Sequence, residues 1–301
     1  MKKWFMWVLV SVLGTAAGAQ TANNTLLWRI SGKNISKPSY LFGTMHLLCA
    51  DDLVLSDSLQ KAIAACNDVY LEVDMDNMME MVQLMPKMKM RNDTTLSDLL
   101  SADEYAKVKA HFQGKGAVPF ALLEKFKPML AASTLMEGSM ECSKPVSMEQ
   151  LIMKVASRNG KKIKGLESMA YQMSIFDSIP YKLQAQQLVK MVDELKSDKD
   201  NKEFDELTSA YRNQELEKLE ELTRRDNMGI GNFTELLLYQ RNRAWAVKLQ
   251  SLMGEGPLVI AVGAGHLPGE QGVIALLRKA GYKVEPVKND MMKVKAQVGQ
   301  P

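Results

Sequence analysis

Two histidines that share one local sequence are the residues best suited to chemistry in this chain. His46 ends the run Gly43-Thr-Met-His, and His266 ends the run Gly263-Ala-Gly-His. Each run follows apolar residues that predict a β-strand. Functional groups of α/β proteins collect beyond the carboxyl ends of strands, and glycine there allows a sharp turn and a close approach. We therefore predict that the two histidines share one site. His111, in a predicted surface helix, is assigned no role.

Acidic residues at two further predicted strand ends could complete such a site. Glu72 and Asp74 occupy alternate positions at the end of a predicted strand, residues 68–73, and would point to the same face. A carboxylate in an apolar strand is costly to bury alone, so a partner is expected. Glu167 follows a second short strand, residues 162–166, in the same manner. Two imidazoles with one or two carboxylates could bind a divalent metal ion or act as a metal-free acid–base pair.

The elements that must position these residues indicate an α/β fold. Hydrophobic periodicity predicts strands at both ends of the chain and helices between them. We expect a central mixed sheet built from N- and C-terminal strands, with a large helical middle or cap region at about residues 75–255. The charged segment 181–222 is interpreted as solvated surface helices. The methionine-rich segment 75–90 predicts a helix with a flexible apolar face, belonging to the core or to a substrate groove.

The N-terminus predicts export. Two lysines, an apolar run at residues 4–13 and small residues ending at Ala19 are typical of a cleavable signal peptide spanning residues 1–19. The run is too short to cross about 30 Å of hydrocarbon, and no later segment is suited to do so. We expect a periplasmic or extracellular protein without stable membrane insertion, with one domain at residues 20–290 and a disordered tail at 291–301.

Composition and cysteine count limit the remaining possibilities. The 301 residues carry a formal net charge of only +3, without the clustered basic charge that nucleic-acid binding requires. Three cysteines allow at most one intramolecular disulfide bond. Cys66 is predicted to be a buried free thiol, and Cys49 and Cys142 are the predicted pair. No Cys-x-x-Cys run is present, which argues against a zinc site made of cysteines.

Several of these segments, taken in order, resemble the TraB/GumN family, which is related to the Tiki metalloproteases and more distantly to erythromycin esterases. The matching segments are Gly43 to His46, Tyr70 to Asp74, Gly165 to Glu167, Arg241-Asn-Arg, and Val262 to Gly269. The resemblance covers nearly the whole mature chain. The resemblance implies the α/β fold of that family. It also implies that His46, Glu72, Arg241 and His266 are functional, with Glu167 as a further candidate.

The resemblance favours an exported metal-dependent hydrolase that acts on peptides. In this hypothesis His46 and His266, with Glu72 or Glu167, hold Mn²⁺, Co²⁺ or Zn²⁺, which activates water. The remaining carboxylate is the general base, and Arg241 stabilises the developing oxyanion.

Two alternatives stay open. One is a metal-free hydrolase of small esters, in which a histidine activates water and a glutamate orients the histidine. The other is a non-enzymatic protein that binds or sequesters peptides in a helical groove lined by Met78, Met79, Met85 and Met88.

Overall fold

The structure is a computed structural model, and it describes residues 24–33, 35–49, 54–113, 118–138, 145–195, 201–225 and 233–291. The predicted signal peptide, Cys142 and the last ten residues of the tail lie outside these ranges. Within them, no helix combines the length and the apolar character needed to cross a membrane.

Eight strands are present in the described ranges. They are β1 Leu27–Ser31, β2 Ser39–Thr44, β3 Leu48–Cys49, β4 Asp68–Leu71, β5 Pro145–Val146, β6 Lys162–Gly165, β7 Leu258–Gly263 and β8 Lys283–Pro286. Six form a sheet in the order β6-β4-β7-β2-β1-β8, and β3 pairs with β5 in a separate ribbon. The sheet is mixed, because β6, β4, β7 and β2 run parallel whereas β1 is antiparallel to β2 and β8. The predicted α/β class is confirmed, although the edge strand β6 comes from the middle of the chain.

Strand β7 forms the centre of the sheet. Its first five residues, Leu-Val-Ile-Ala-Val, are all buried, as a parallel strand covered on both faces requires. It pairs with β2 so that Thr44 lies opposite Gly263. This register makes both Gly-x-x-His segments leave the sheet at the same edge.

Thirteen α-helices surround the sheet within the described ranges. They are α1 Asp57–Ala65, α2 Met78–Met88, α3 Leu96–Leu99, α4 Ala102–Phe112, α5 Phe120–Leu123, α6 Pro128–Gly138, α7 Met148–Arg158, α8 Met169–Asp177, α9 Tyr181–Glu194, α10 Asn201–Arg212, α11 Leu216–Arg224, α12 Gln240–Glu255 and α13 Val273–Lys279. A π-helical turn, Glu235–Tyr239, precedes α12, and a 3₁₀ turn, Ala264–His266, follows β7.

Helix α9 corrects the prediction that residues 181–222 form solvated surface helices. Ala185, Leu188, Val189 and Val192 are buried in α9, at helical spacing on one face. They pack with residues of α3, α4, α5 and α6 in a second hydrophobic core, separate from the core around the sheet. The high charge of the segment concealed this stripe, because most of its charged residues lie on the opposite faces.

Two predicted boundaries also differ from the structure. Strand β4 ends at Leu71, so the alternation that paired Glu72 with Asp74 does not apply. Asp74 instead accepts a hydrogen bond from the backbone N–H of Asp76. At the other end of the chain Met291 is buried, and its carbonyl accepts the N–H of Val54 at 2.8 Å. Met291 therefore packs with the fold, and the rest of the predicted tail, residues 292–301, lies outside the described residues.

The cysteines follow the sequence prediction as far as the described residues extend. Cys66 is buried and free, whereas Cys49 is disulfide-bonded. The predicted partner, Cys142, lies outside the described ranges. Cys49 pairs with Pro145 in the β3–β5 ribbon, three positions along the chain from Cys142.

Candidate active site at the ends of four parallel strands

Each of the four parallel strands is followed by a residue of the predicted site. His46 follows β2, Glu72 follows β4, Glu167 follows β6 and His266 follows β7. Because the carboxyl ends of parallel strands meet at one edge, residues far apart in sequence come together there. Helix α12 covers this edge and contributes the buried side chain of Arg241. The structure thus brings all five predicted residues to one region.

Arg241 joins the two carboxylates. Its Nη2 lies 2.5 Å from Oε2 of Glu72 and 2.6 Å from Oε1 of Glu167. The indole Nε1 of Trp245 donates to Oε2 of Glu167 at 3.0 Å, and the guanidinium lies 4.7 Å from the Trp245 ring centroid. Two buried carboxylates require such a cation, because uncompensated charge in the interior is strongly destabilising. Arg241 therefore stabilises the site as well as giving it positive charge.

The π-helical turn before α12 helps to orient this arginine. Nη1 of Arg241 donates to the carbonyl oxygen of Leu237 at 2.8 Å. Such turns are rare and are frequently found at functional sites.

His266 is held as a neutral ring with one defined tautomer. Its Nδ1 lies 2.6 Å from Oδ1 of Asn242, an atom that can only accept, so Nδ1 carries the hydrogen. Nε2 is then unprotonated, 3.2 Å from Nη1 of Arg241 and 3.7 Å from Oε1 of Glu72. Burial lowers the pKa of His266 to about 4. The positive charge of Arg241 also lowers this pKa, whereas the negative charge of Glu72 raises it. The ring is neutral at pH 7.

Glu72 is ionised and oriented by three donors. Its Oε1 accepts the backbone N–H of Gly263 at 2.8 Å, and its Oε2 accepts from Gln172 at 3.0 Å and from Arg241. Burial alone would raise the pKa of Glu72, but His266, Arg241 and the Gly263 N–H together lower it to about 2.

His46 has the opposite charge preference from His266. Its Nδ1 lies 2.9 Å from Oε1 of Glu149, in the first turn of α7. This hydrogen bond, with the negative charge of Glu149, raises the pKa of His46 to about 9. The imidazole is therefore protonated at pH 7. Its side chain is 69% exposed, so solvent screens the interaction, whereas the Glu149 side chain is only 8% exposed.

Gly263 marks the space that these groups share. A Cβ atom at Gly263 would lie 3.2 Å from Oε1 of Glu72, 3.6 Å from Cδ2 of His266 and 3.9 Å from Nε2 of His46. The φ angle is −49°, which any residue adopts. Glycine is therefore needed here for room rather than for backbone freedom, and the two histidines and Glu72 line one small space.

The donor atoms of the site are of the types that bind divalent metal ions. Imidazole nitrogen and carboxylate oxygen suit Mn²⁺, Co²⁺ and Zn²⁺. Among the described residues, no three His, Cys, Asp or Glu side chains are already placed to hold an ion together. His266 Nε2 and Glu72 Oε1, 3.7 Å apart, are close enough to share one. His46 could add a third donor only after losing its proton, and Arg241 Nη1 competes for the lone pair of His266.

Besides Trp245, four contributing residues were not assigned by the sequence. Asn242 lies between Arg241 and Arg243 in a matching segment, so its place in the motif could have identified it. Glu149, Gln172 and Tyr211 carry no comparable local signal. The Tyr211 hydroxyl, from α10, donates to the carbonyl of Gly43 at 2.9 Å and supports the strand end before His46.

The fold and the strand-end site define an α/β protein with a helical middle and a His–Glu–Arg centre. The family model described as TraB/PrgY/gumN family matches residues 26–286, and the chain belongs to this family. The chain is 22% identical to "Metalloprotease TIKI2" of Danio rerio, over 89% of this chain and 62% of that protein.

Two further relatives have similar sequence identity to the chain. "Metalloprotease TIKI homolog" of Nematostella vectensis is 24% identical, over 88% of this chain and 67% of the relative. "Metalloprotease TIKI1" of Homo sapiens is 22% identical, over 94% of this chain and 68% of the relative. The chain thus spans about two thirds or less of the length of these proteins, 62–68%. No solved structure matches the chain significantly.

Proposed function

We propose that this chain is an exported metal-dependent hydrolase that cleaves peptide bonds. The observation that carries the proposal is the space beside Gly263, which Glu72, His266 and His46 line from the ends of three neighbouring strands. Membership in the TraB/PrgY/gumN family and similarity to proteins named metalloproteases support it.

In this proposal His266 through Nε2, Glu72 through Oε1 and His46 would hold the ion. When bound, a divalent ion polarises a carbonyl and lowers the pKa of water toward about 7. Asn242 keeps the hydrogen of His266 on Nδ1, which leaves Nε2 available as a donor.

The other charged residues take separate roles. Glu72 would serve as a ligand of the ion, because its carboxylate is ionised and faces the shared space. Arg241 supplies the positive charge that stabilises the oxyanion. Both oxygens of Glu167 accept hydrogen bonds, from Arg241 and Trp245, so in this proposal Glu167 orients Arg241 rather than acting as the general base.

Chelation tests this function directly. The purified mature protein is assayed on a mixed peptide library before and after treatment with a chelator, and again after adding Mn²⁺, Co²⁺ or Zn²⁺. We expect activity to disappear and return, with His266→Ala and Glu72→Gln inactive throughout. His111→Ala, a histidine outside the site, serves as the control. Peptide cleavage that is unchanged by the chelator would exclude the metal-dependent reaction.

A metal-free hydrolase is the second candidate, because the two histidines titrate far apart. His46, with a pKa of about 9, can donate a proton, and His266, with a pKa of about 4, stays neutral. Such a separated pair is suited to acid–base catalysis. In this reaction His46 protonates the leaving group and Glu72 accepts the proton of water. Chelator-resistant hydrolysis of p-nitrophenyl acetate, lost in His46→Ala, would support this candidate.

The proposed export rests on the predicted signal peptide, and the disulfide bond at Cys49 supports it because such bonds persist in oxidising compartments. The intact mass of protein purified from cells should correspond to a chain beginning at Gln20 or within a few residues of it. A mass that includes residues 1–19 would contradict this.

A further inference from the structure

The two site histidines are held in the same way by residues of different helices. Nδ1 of His266 lies 2.6 Å from Oδ1 of Asn242 on α12, and Nδ1 of His46 lies 2.9 Å from Oε1 of Glu149 on α7. The ionised carboxylate of Glu149 can only accept, so Nδ1 of His46 carries the donated hydrogen. The other nitrogen of this ring, Nε2, lies 3.9 Å from where a Cβ at Gly263 would be. His46 therefore bonds Glu149 through one nitrogen and presents the other to the shared space.

The ring of His46 needs such a partner, because its surroundings do not fix it. His46 lies on a bend after β2, and its side chain is 69% exposed. Exposed side chains exchange between rotamers within nanoseconds. Glu149 is buried and belongs to a helix of eleven residues. The carboxylate is thus the rigid member of the pair, and the imidazole is the member that is oriented.

The backbone around His46 is tied to the residues that lead into α7. Before His46 in the sequence, the carbonyl of Met45 accepts the N–H of Met148 at 3.2 Å. After His46, strand β3 pairs with β5, which ends immediately before the N-cap of α7. These contacts on either side of His46 hold its segment against the helix that carries Glu149.

Stabilisation of α7 does not by itself account for a carboxylate at this position. The side chain of Ser147 already caps the helix by accepting the N–H of Gln150. An acidic residue in the first turn interacts favourably with the helix dipole from an exposed position too, whereas burying the carboxylate is costly. Oε2 of Glu149 is buried without a hydrogen-bond partner among the described residues. The contact of Oε1 with His46 is therefore the interaction that explains the burial of this side chain.

We propose that Glu149 is a positioning residue of the candidate active site, which accepts the Nδ1 hydrogen of His46, fixes its ring and directs Nε2 into the space beside Gly263. This inference rests on the proposed function, in which His46 helps to hold the ion. Histidines that bind metals ordinarily donate their second N–H to a carboxylate or carbonyl, and loss of that acceptor typically lowers metal affinity by about 10–100-fold.

The test measures Co²⁺ binding to the metal-free mature protein by calorimetry, separately from any assay of hydrolysis. Glu149→Met removes the acceptor and keeps a side chain of similar length. Glu149→Gln keeps an amide oxygen that can accept the Nδ1 hydrogen, so it should bind Co²⁺ more tightly than Glu149→Met. Glu104→Met is the matched control, because Glu104 is also acidic and lies in the first turn of a helix, α4, outside the site.

We expect Glu149→Met to bind Co²⁺ about 10–100-fold more weakly than the wild-type protein, and Glu104→Met to bind it equally well. In a protein that already carries His46→Ala, adding Glu149→Met should cause no further loss, because Glu149 acts through His46. Equal affinity of the wild-type protein and Glu149→Met would overturn the inference and leave the proposed hydrolase intact. A loss of the same size in the His46→Ala background would also overturn it, since Glu149 would then act on the fold alone.

NMR spectroscopy of the metal-free protein tests the same contact without an ion. An exposed imidazole N–H exchanges rapidly with water, whereas a hydrogen-bonded one is protected. The Nδ1 proton of His46 should therefore be visible in the wild-type protein and in Glu104→Met, and absent in Glu149→Met. Its absence from the wild-type spectrum would overturn the inference. A wild-type protein that shows this proton but binds no Co²⁺ would support the role of Glu149 and contradict the proposed metal-dependent reaction.

Discussion

Nη1 of Arg241 lies 3.2 Å from Nε2 of His266, so a permanent cation faces the ring nitrogen most suited to catalysis. Together with burial, this cation holds the pKa of His266 near 4 and keeps Nε2 unprotonated at neutral pH. The same cation neutralises Glu72 and Glu167. The site therefore has one buried neutral histidine, an ionised Glu72 and one exposed protonated histidine.

Gly263→Ala should strongly reduce activity while leaving the protein folded. The added methyl would lie 3.2 Å from Oε1 of Glu72 and 3.9 Å from Nε2 of His46, inside the shared space. We expect activity to fall by roughly a hundredfold, since small misplacements at a reacting centre have effects of this size. Gly254→Ala is the control, because a Cβ there meets nothing within 4 Å. Thermal denaturation reports folding, and full activity in Gly263→Ala would contradict the assigned space.

The two site histidines should titrate on opposite sides of neutral pH. Titration of the imidazole NMR signals of the metal-free protein should give a pKa of about 9 for His46 and about 4 for His266. With three histidines in the chain, assignment requires only His→Gln variants. Glu149→Gln should lower the pKa of His46 toward its usual value of 6.5 and leave His266 unchanged. A wild-type His46 that already titrates near 6.5 would show that the Glu149 contact is not populated.

Stability should follow the same pKa values. His266 binds its proton more weakly in the folded protein than in the unfolded chain, so stability falls as pH decreases from 6.5 toward 4. His46 behaves oppositely, and its contribution is lost as pH rises from 6.5 through about 9. Urea denaturation from pH 4 to 9 should show a flatter acidic limb in His266→Gln than in wild type. An identical pH dependence in the two proteins would contradict the low pKa.

Replacing Arg241 should destabilise the protein strongly. Arg241→Met leaves Glu72 and Glu167 buried without their cation, which should lower the free energy of unfolding by about 3–5 kcal/mol. Adding Glu167→Gln should recover part of the loss, because one uncompensated charge is removed. Arg243→Met is the control, since Arg243 lies two positions away and pairs with exposed Glu235. It should change stability by no more than about 1 kcal/mol. Equal effects of the two arginine substitutions, measured by urea denaturation, would refute this account.

Replacing either residue of the buried Lys127–Asp177 ion pair should destabilise the protein, but by different amounts. Lys127 is 1% exposed, lies 2.9 Å from Asp177 and also donates to the carbonyl of Met173. Asp177→Asn leaves a buried ammonium without a counter-ion, at a cost of about 3–5 kcal/mol. Lys127→Met removes that charge, while Arg91 still pairs with Asp177, so it should cost clearly less. Lys107→Met, in an exposed pair with Asp193, is the control for both variants. A larger loss of stability in Lys127→Met than in Asp177→Asn would contradict this expectation.

Local patterns alone determined most of the elements and identified the two histidines of the site, whereas Arg241 was identified only through the resemblance to the family. The apolar runs predicted β2 and β7 within a residue or so, because a strand buried on both faces requires continuous apolar sequence. Ser56 and Ser147 precede helices as N-caps, where a hydroxyl accepts a backbone N–H. The Gly-x-x-His repeats identified His46 and His266 because the imidazole and the glycine before it are visible within four residues.

Only the tertiary structure decided which groups meet and which charge each carries. The parallel register of β2 and β7, the attachment of Arg241 to two strand-end carboxylates, and the contact of Glu149 with His46 join positions that are distant in sequence. The opposite charge preferences of the two histidines follow from those contacts. Backbone propensity and apolar periodicity act over a few neighbouring residues, whereas burial and electrostatic interaction depend on whatever the fold places nearby. A histidine at a strand end is therefore recognisable in the sequence, but its protonation state is a property of the folded chain.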